Sequence, residues 1–120
     1  MPQYVLVARD AGSWSELAGD ISPEEIQAIL SRYSAWNEKL AAAGKLVGGQ
    51  KLKDGEGRVV QGKGSAMKVM DGPHAESKEV IGGFWIVEAA NYEEAVRLAS
   101  DNPHLDFGSL EVREIEEMAG

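Results

Sequence analysis

Residues 83–103 read GFWIVEAANYEEAVRLASDNP, and this stretch holds one complete strand-to-helix unit. Its first six residues, Gly-Phe-Trp-Ile-Val-Glu, are dense in aromatic and β-branched side chains, the composition of a strand. Asn91 then offers a helix cap, with Glu94 three residues further on. Ala95, Leu98 and Ala99 recur on one helical face, and Pro103 ends the pattern. The spacing predicts a helix over residues 92–101.

The same unit occurs upstream. Tyr4-Val5-Leu6-Val7-Ala8 is a short apolar run read as a buried strand, followed by a Gly/Ser/Asp-rich loop over residues 9–21. Ser22-Pro23-Glu24-Glu25 is a strong helix start: Ser22 can cap, Pro23 suits the first position, and Glu25 completes a capping box. Ile26, Ile29, Leu30, Tyr33, Trp36 or Asn37, and Leu40 recur at helical spacing until Gly44, which predicts a helix over residues 23–43. Residues 45–52 read as a second strand with glycines that mark a bend. Residues 53–64 are turn-rich, with Asp54-Gly55 a turn signal, and residues 65–70 predict an inserted strand broken by Asp71-Gly72-Pro73. In the last strand Leu110 and Val112 alternate with Glu111 and Arg113. Without the insertion the order is strand, helix, strand, strand, helix, strand. That is an α+β chain of the ferredoxin-like split βαβ type, in one domain spanning residues 1–120. Two helices cover only one sheet face, so the other is expected to pair face to face with its own copy in a homodimer.

Composition narrows the function. The 120 residues carry 12 basic against 20 acidic side chains, a net charge of −8, and such a chain repels a phosphate backbone. No nucleic-acid partner is expected. No apolar run is long enough to cross a bilayer, so no membrane partner is expected either. There is no cysteine, which removes disulfides, thiolate nucleophiles and thiolate metal sites, and with the lack of a signal segment suggests a cytoplasmic protein. His74 and His104 are the two histidines and stand in no metal spacing, so neither a metal nor another cofactor is expected. Residues 57–63 have the spacing of a phosphate-binding loop, but Gly64 occupies the Ser/Thr position, and the segment reads as a hairpin.

At residues 71–79, Asp-Gly-Pro-His-Ala-Glu-Ser-Lys-Glu, the chain resembles the signature of the DGPF subgroup of YCII-related proteins. The likeness continues through Gly82-Gly83-Phe84-Trp85-Ile86-Val87, Asn102-Pro103-His104 and Gly108-Ser109-Leu110-Glu111-Val112-Arg113. His74 stands where the subgroup has Phe, Ser77 where it has Thr, and Glu114 where a Pro is common. The resemblance implies a ferredoxin-like dimeric barrel, with some relatives acting on small organic compounds and others encoded beside sigma factors. In narrower YciI-like proteins a first-helix histidine pairs with an aspartate. Asp71 looks like the counterpart of that aspartate, and the histidine's place falls near Tyr33.

Asp71, His74 and His104 are therefore the candidate acid/base groups, since a histidine titrates near neutrality and a carboxylate can orient it. Asp71 has an equally good structural reading, because a carboxylate before Gly-Pro can accept backbone amides within its turn. Glu76 and Lys78 are candidate ligand-binding residues, or a solvated ion pair. Glu111 and Arg113 share one face of the last strand, where they either pair or hold a ligand. Two functions remain: an enzyme acting on a small molecule with Asp71 and a histidine moving protons, or a non-catalytic dimeric binding or regulatory module.

Overall fold

A computed structural model describes residues 1–10, 21–53, 56–71 and 80–118. Strands β1 (Gln3–Asp10), β2 (Leu46–Lys51), β5 (Val80–Glu88) and β6 (Gly108–Glu114) form one sheet in the order β2-β5-β1-β6, with every neighbouring pair antiparallel. Helices α1 (Pro23–Ala42) and α2 (Tyr92–Ala99) complete the split βαβ arrangement expected from the sequence. Strands β3 (Arg58–Gln61) and β4 (Lys68–Asp71) form a separate hairpin. The insertion thus holds two strands, and a 3₁₀ turn (Gly64–Ala66) occupies the start of the single strand expected over residues 65–70.

Both helices begin where their capping residues dictate. Ser22 Oγ accepts the Glu25 N–H at 3.2 Å with Pro23 in the first turn, and Asn91 Oδ1 accepts the Glu94 N–H at 2.9 Å. Gly44, at φ 71°, ends the first helix in a conformation that costs a side-chain-bearing residue energy. α2 stops at Ala99, and a 3₁₀ turn (Pro103–Asp106) follows, because Pro103 has no N–H to continue the helix.

Alternation along β1 divides the sheet. Tyr4, Leu6, Ala8 and Asp10 are buried on the helix side, whereas Val5, Val7 and Arg9 are half-buried on the other. Trp36 and Leu40 of α1, and Ala95 and Ala99 of α2, pack on Tyr4, Leu6 and Val87 to form the core. Removing most of an enclosed leucine such as Leu6 typically costs about 2–5 kcal/mol, so this end of the sandwich is rigidly filled. The Trp36 indole N–H donates to Leu98 O at 3.2 Å and to Asp101 Oδ1 at 3.1 Å, which fixes α1 against the end of α2. Asp101 also pairs with Lys39, and that ammonium holds its carboxyl below the usual range.

β1 runs two residues further than expected, through Arg9 and Asp10. Both are paired on each side: Arg9 with Ile81 and Ser109, Asp10 with Val80 and Gly108, after a bulge between Ala8 and Arg9. Two neighbouring ladders keep a charged dipeptide in strand geometry that its own propensity disfavours. No described helix is long and apolar enough to cross a membrane.

Candidate functional site

The residues that the sheet presents beneath α1 change size along the helix. Under Trp36 and Leu40 the sheet presents Tyr4, Leu6 and Val87. Around the Trp85 indole, under Leu30 and Tyr33, it presents Ala8, Gly49 and Gly83, so beside that ring the floor is nearly bare backbone. A cavity of about 280 Å³ opens there. That is at the small end of ligand sites, which are mostly apolar with a few convergent polar groups.

The flat wall of this cavity is aromatic. The Tyr33 ring stacks on the Trp85 indole with centroids 6.2 Å apart and planes at 11°, and Trp36 meets the same indole edge-on at 5.3 Å. The Trp85 N–H donates to Asn37 Oδ1 at 3.0 Å, which locks both side chains. Tyr33 and Asn37 are four residues apart on α1 and so share one helix face.

At the inner end a histidine and a carboxylate are buried together. His104 is 6% and Asp10 9% exposed, values unusual for such side chains unless they are paired. His104 Nε2 is 3.1 Å from Asp10 Oδ1 and 3.0 Å from the Arg9 carbonyl oxygen. Both are acceptors, so Nε2 carries the proton and Nδ1 is left as the basic nitrogen of the neutral ring. Tyr33 Oη stands 3.5 Å from that Nδ1, a long contact. The Tyr33 phenol is pushed up to about 12, first by burial and then by the Asp10 charge, so it stays protonated at neutral pH. Asp10, His104 and Tyr33 thus form a line from the sheet to the cavity.

Local structure builds this line. Asn102 caps the 3₁₀ turn by accepting the His104 N–H at 2.8 Å, and Arg32 of α1 pairs with Asp106 at 2.5 Å, so the turn is held at both ends. Two glycines make room. A Cβ at Gly82 would fall 2.5 Å from Asp10 Oδ2, and one at Gly108 would fall 2.0 Å from Arg9 O and 3.0 Å from His104 Nε2. A side chain at either glycine would therefore drive the carboxylate or the imidazole out of place.

Of the described residues expected from the sequence, His104 alone lines the cavity. Asp71 ends β4 with its side chain 95% exposed and faces Arg58 at 3.6 Å, away from the cavity that holds His104. Glu111 and Arg113 lie on the opposite sheet face: Glu111 binds Arg9 at 2.8 Å, and Arg113 is 3.9 Å from the same carboxylate. His74, Glu76 and Lys78, with the Asp54-Gly55 and Gly72-Pro73 turns and most of the 9–21 loop, fall outside the described residues. Asp10, Tyr33, Asn37 and Trp85 are cavity residues that sequence reasoning did not single out. Among the described residues no cluster of three histidines or carboxylates could hold a metal.

Residues 3–119 match the family described as YCII-related domain, and the chain belongs to that family. An uncharacterized protein of Rhizobium meliloti (strain 1021) is 34% identical over 103 residues, covering 77% of this chain and 77% of its own length. Among solved structures, the chain is similar to the 5-chloro-2-hydroxyhydroquinone dehydrochlorinase of Burkholderia phenoliruptrix AC1100, in complex with 2,5-dihydroxybenzoquinone. That likeness has a TM-score of 0.48 and 19% identity over 97% of this chain and 95% of the other.

Proposed function

We propose that this member of the YCII-related family binds a small, flat, weakly acidic organic molecule between α1 and the sheet, and moves a proton from its hydroxyl to His104 through Tyr33. The supporting observation is the Asp10–His104–Tyr33 line, which starts at a buried contact between a carboxylate and an imidazole N–H and ends at an aromatic-walled cavity. In the transfer the ligand's O–H bond breaks and a new O–H bond to Tyr33 forms. Tyr33's own proton passes to His104 Nδ1. The ligand is left as an oxyanion and the ring as an imidazolium against Asp10. The proton never leaves the site, so no net charge enters a poorly solvated space. Because Tyr33 is itself hard to ionise, a ligand more acidic than tyrosine yields its proton first. Asp10 is a positioning residue: it fixes the tautomer and stabilises the imidazolium as it forms.

Asp71, exposed and paired with Arg58, has no proton-transfer role in this reading, and His104 takes Asp10 as its carboxylate partner instead. The reading also takes the chain as a homodimer. Val5, Val7, Phe84 and Ile86 lie on the sheet face without helices, and a second copy is the economical cover for such a face. The DGPF subgroup and a cytoplasmic setting complete the proposal.

The test uses 4-nitrophenol, whose colour reports its ionisation. Bound to the wild-type chain, the dye should ionise at lower pH than in free solution, and Tyr33→Phe should bind it without that shift. Binding with no shift in the wild type would establish the alternative, a non-catalytic binding module. A shift that survives in both Tyr33→Phe and His104→Gln would refute the relay.

A further inference from the structure

We infer that Asn37 selects the ligand, and that the site takes planar hydroxy-carbonyl compounds in which the acidic hydroxyl is conjugated with a second, acceptor oxygen. The inference rests on the proton relay proposed above and adds to it the group that receives the displaced charge.

The argument starts from the orientation of one amide. An indole N–H can only donate, so at 3.0 Å from Trp85 Nε1 the Asn37 side chain must present its oxygen. The amide is planar, so its Nδ2 then points the other way. That nitrogen makes no hydrogen bond to any described residue, although Asn37 is half-buried and lines the cavity. Two N–H bonds are left for whatever enters.

Asn37 and Tyr33 are one helical turn apart on the same face, with Cβ atoms at such spacing roughly 5–6 Å from each other. Two polar groups of opposite duty therefore face one flat slot. Tyr33 accepts a proton from the ligand as it passes its own to His104, and Asn37 donates. Loss of a proton from an isolated alcohol would leave the charge on the oxygen beside Tyr33, close to the Asp10 carboxylate. When the hydroxyl is conjugated with a carbonyl, the electron pair released by the O–H bond moves through the π system to the carbonyl oxygen. Charge then develops at the far oxygen, where the Asn37 amide can meet it. A donor that strengthens as charge develops favours the ionised ligand over the neutral one. The stacked indole and phenol rings give the cavity a flat aromatic wall, which suits the planar shape that conjugation requires.

The experiment compares three probes: 4-hydroxybenzaldehyde, which carries both oxygens in conjugation; phenol, which lacks the carbonyl; and 4-methoxybenzaldehyde, which lacks the acidic proton. Binding and the absorbance of the ionised aldehyde are read together, on folded protein verified by circular dichroism. Wild type should hold 4-hydroxybenzaldehyde about tenfold or more tighter than either control, the scale of one hydrogen bond to a charged oxygen. Asn37→Asp keeps the acceptor for Trp85 and replaces the donor with an oxygen, so it should fold and lose that preference. Equal binding of the aldehyde and phenol by wild type, or a preference that survives in Asn37→Asp, would overturn the role of Asn37 while leaving the relay standing. Binding of 4-hydroxybenzaldehyde without ionisation would overturn the relay, and no binding of any probe would overturn both.

Discussion

Gly82→Ala is the substitution that tests the site most directly, because it adds one methyl group against the Asp10 carboxylate. The new Cβ would fall 2.5 Å from Asp10 Oδ2, whereas non-bonded carbon atoms settle at about 3.5 Å and a carbon-oxygen pair somewhat closer. The carboxylate belongs to a short side chain and can only yield by rotating, which breaks its 3.1 Å contact with His104 Nε2. Overpacking costs about 1–3 kcal/mol, and losing a charge-assisted bond adds about 1.5–3. The reduced freedom of the unfolded chain returns about 0.4–1 kcal/mol, for a net loss of about 1.5–5.5 kcal/mol. In a chain of this size that lowers the melting temperature by on the order of 10 °C. Gly48→Ala is the matched control, since a Cβ there meets nothing within 4 Å, and it should be neutral or slightly stabilising. Unfolding is followed by circular dichroism, and ring-nitrogen chemical shifts report His104, with His74→Gln removing the other histidine from the spectrum. If Gly82→Ala melts with Gly48→Ala and leaves the His104 nitrogens unchanged, Asp10 does not hold the imidazole and the argument fails.

Two further outcomes are expected. In an ultraviolet titration of the three tyrosines, the step removed by Tyr33→Phe should lie near pH 12, and Asp10→Asn should lower it only part of the way, burial being the larger cause. A raised acid means that the folded state retains its proton longer, so this contribution to stability is complete below about pH 10 and is lost as pH rises toward 12; a Tyr33 step near 10 would contradict the burial of its hydroxyl. Sedimentation at micromolar concentration should give twice 12.9 kDa, and a single species at 12.9 kDa would rule out the dimer.

The helices and the strand order were legible because their signals are local. Ser22 and Asn91 cap where a cap residue should, and two strand-helix units leave few ways to build one sheet. The hairpin was legible as a turn-rich insertion but not in its boundaries, since Gly62 and Gly64, at φ 81° and 57°, place the turn where the strand was expected to begin. Asp10 was hidden for a different reason. Arg9-Asp10 looks like the end of a strand, and only pairing with residues some seventy and a hundred positions away keeps it in the sheet. His104 could be picked out because it follows Asn-Pro at a helix end. Asp71 drew notice through its Gly-Pro turn, a backbone signal that carries no information about what shares its surroundings. Tyr33 was noted as one of the periodic positions of the first helix and as the place of an absent histidine. The glycines at 82 and 108 were the available pointer to the buried pair, because a glycine within a strand marks close approach by another group.

The position of β1 between β5 and β6 has a consequence for how the chain comes to be folded. β1 is synthesised before its partners, yet its two ladders join it to the last strands of the sheet, as the Arg9–Glu111 pair at a separation of 102 residues illustrates. A ribosome-bound chain therefore carries Tyr4, Leu6 and Ala8 with no hydrogen-bonding neighbour until almost everything described has emerged. α1 and the β3–β4 hairpin can form from nearby residues in the meantime, but the sheet cannot close. Contacts of such long range slow folding and prolong the exposure of an apolar strand. Loss of β6 would accordingly do more than trim an edge: it would leave the central strand open along one side and take away the Gly108 backbone that lies against Arg9 and His104.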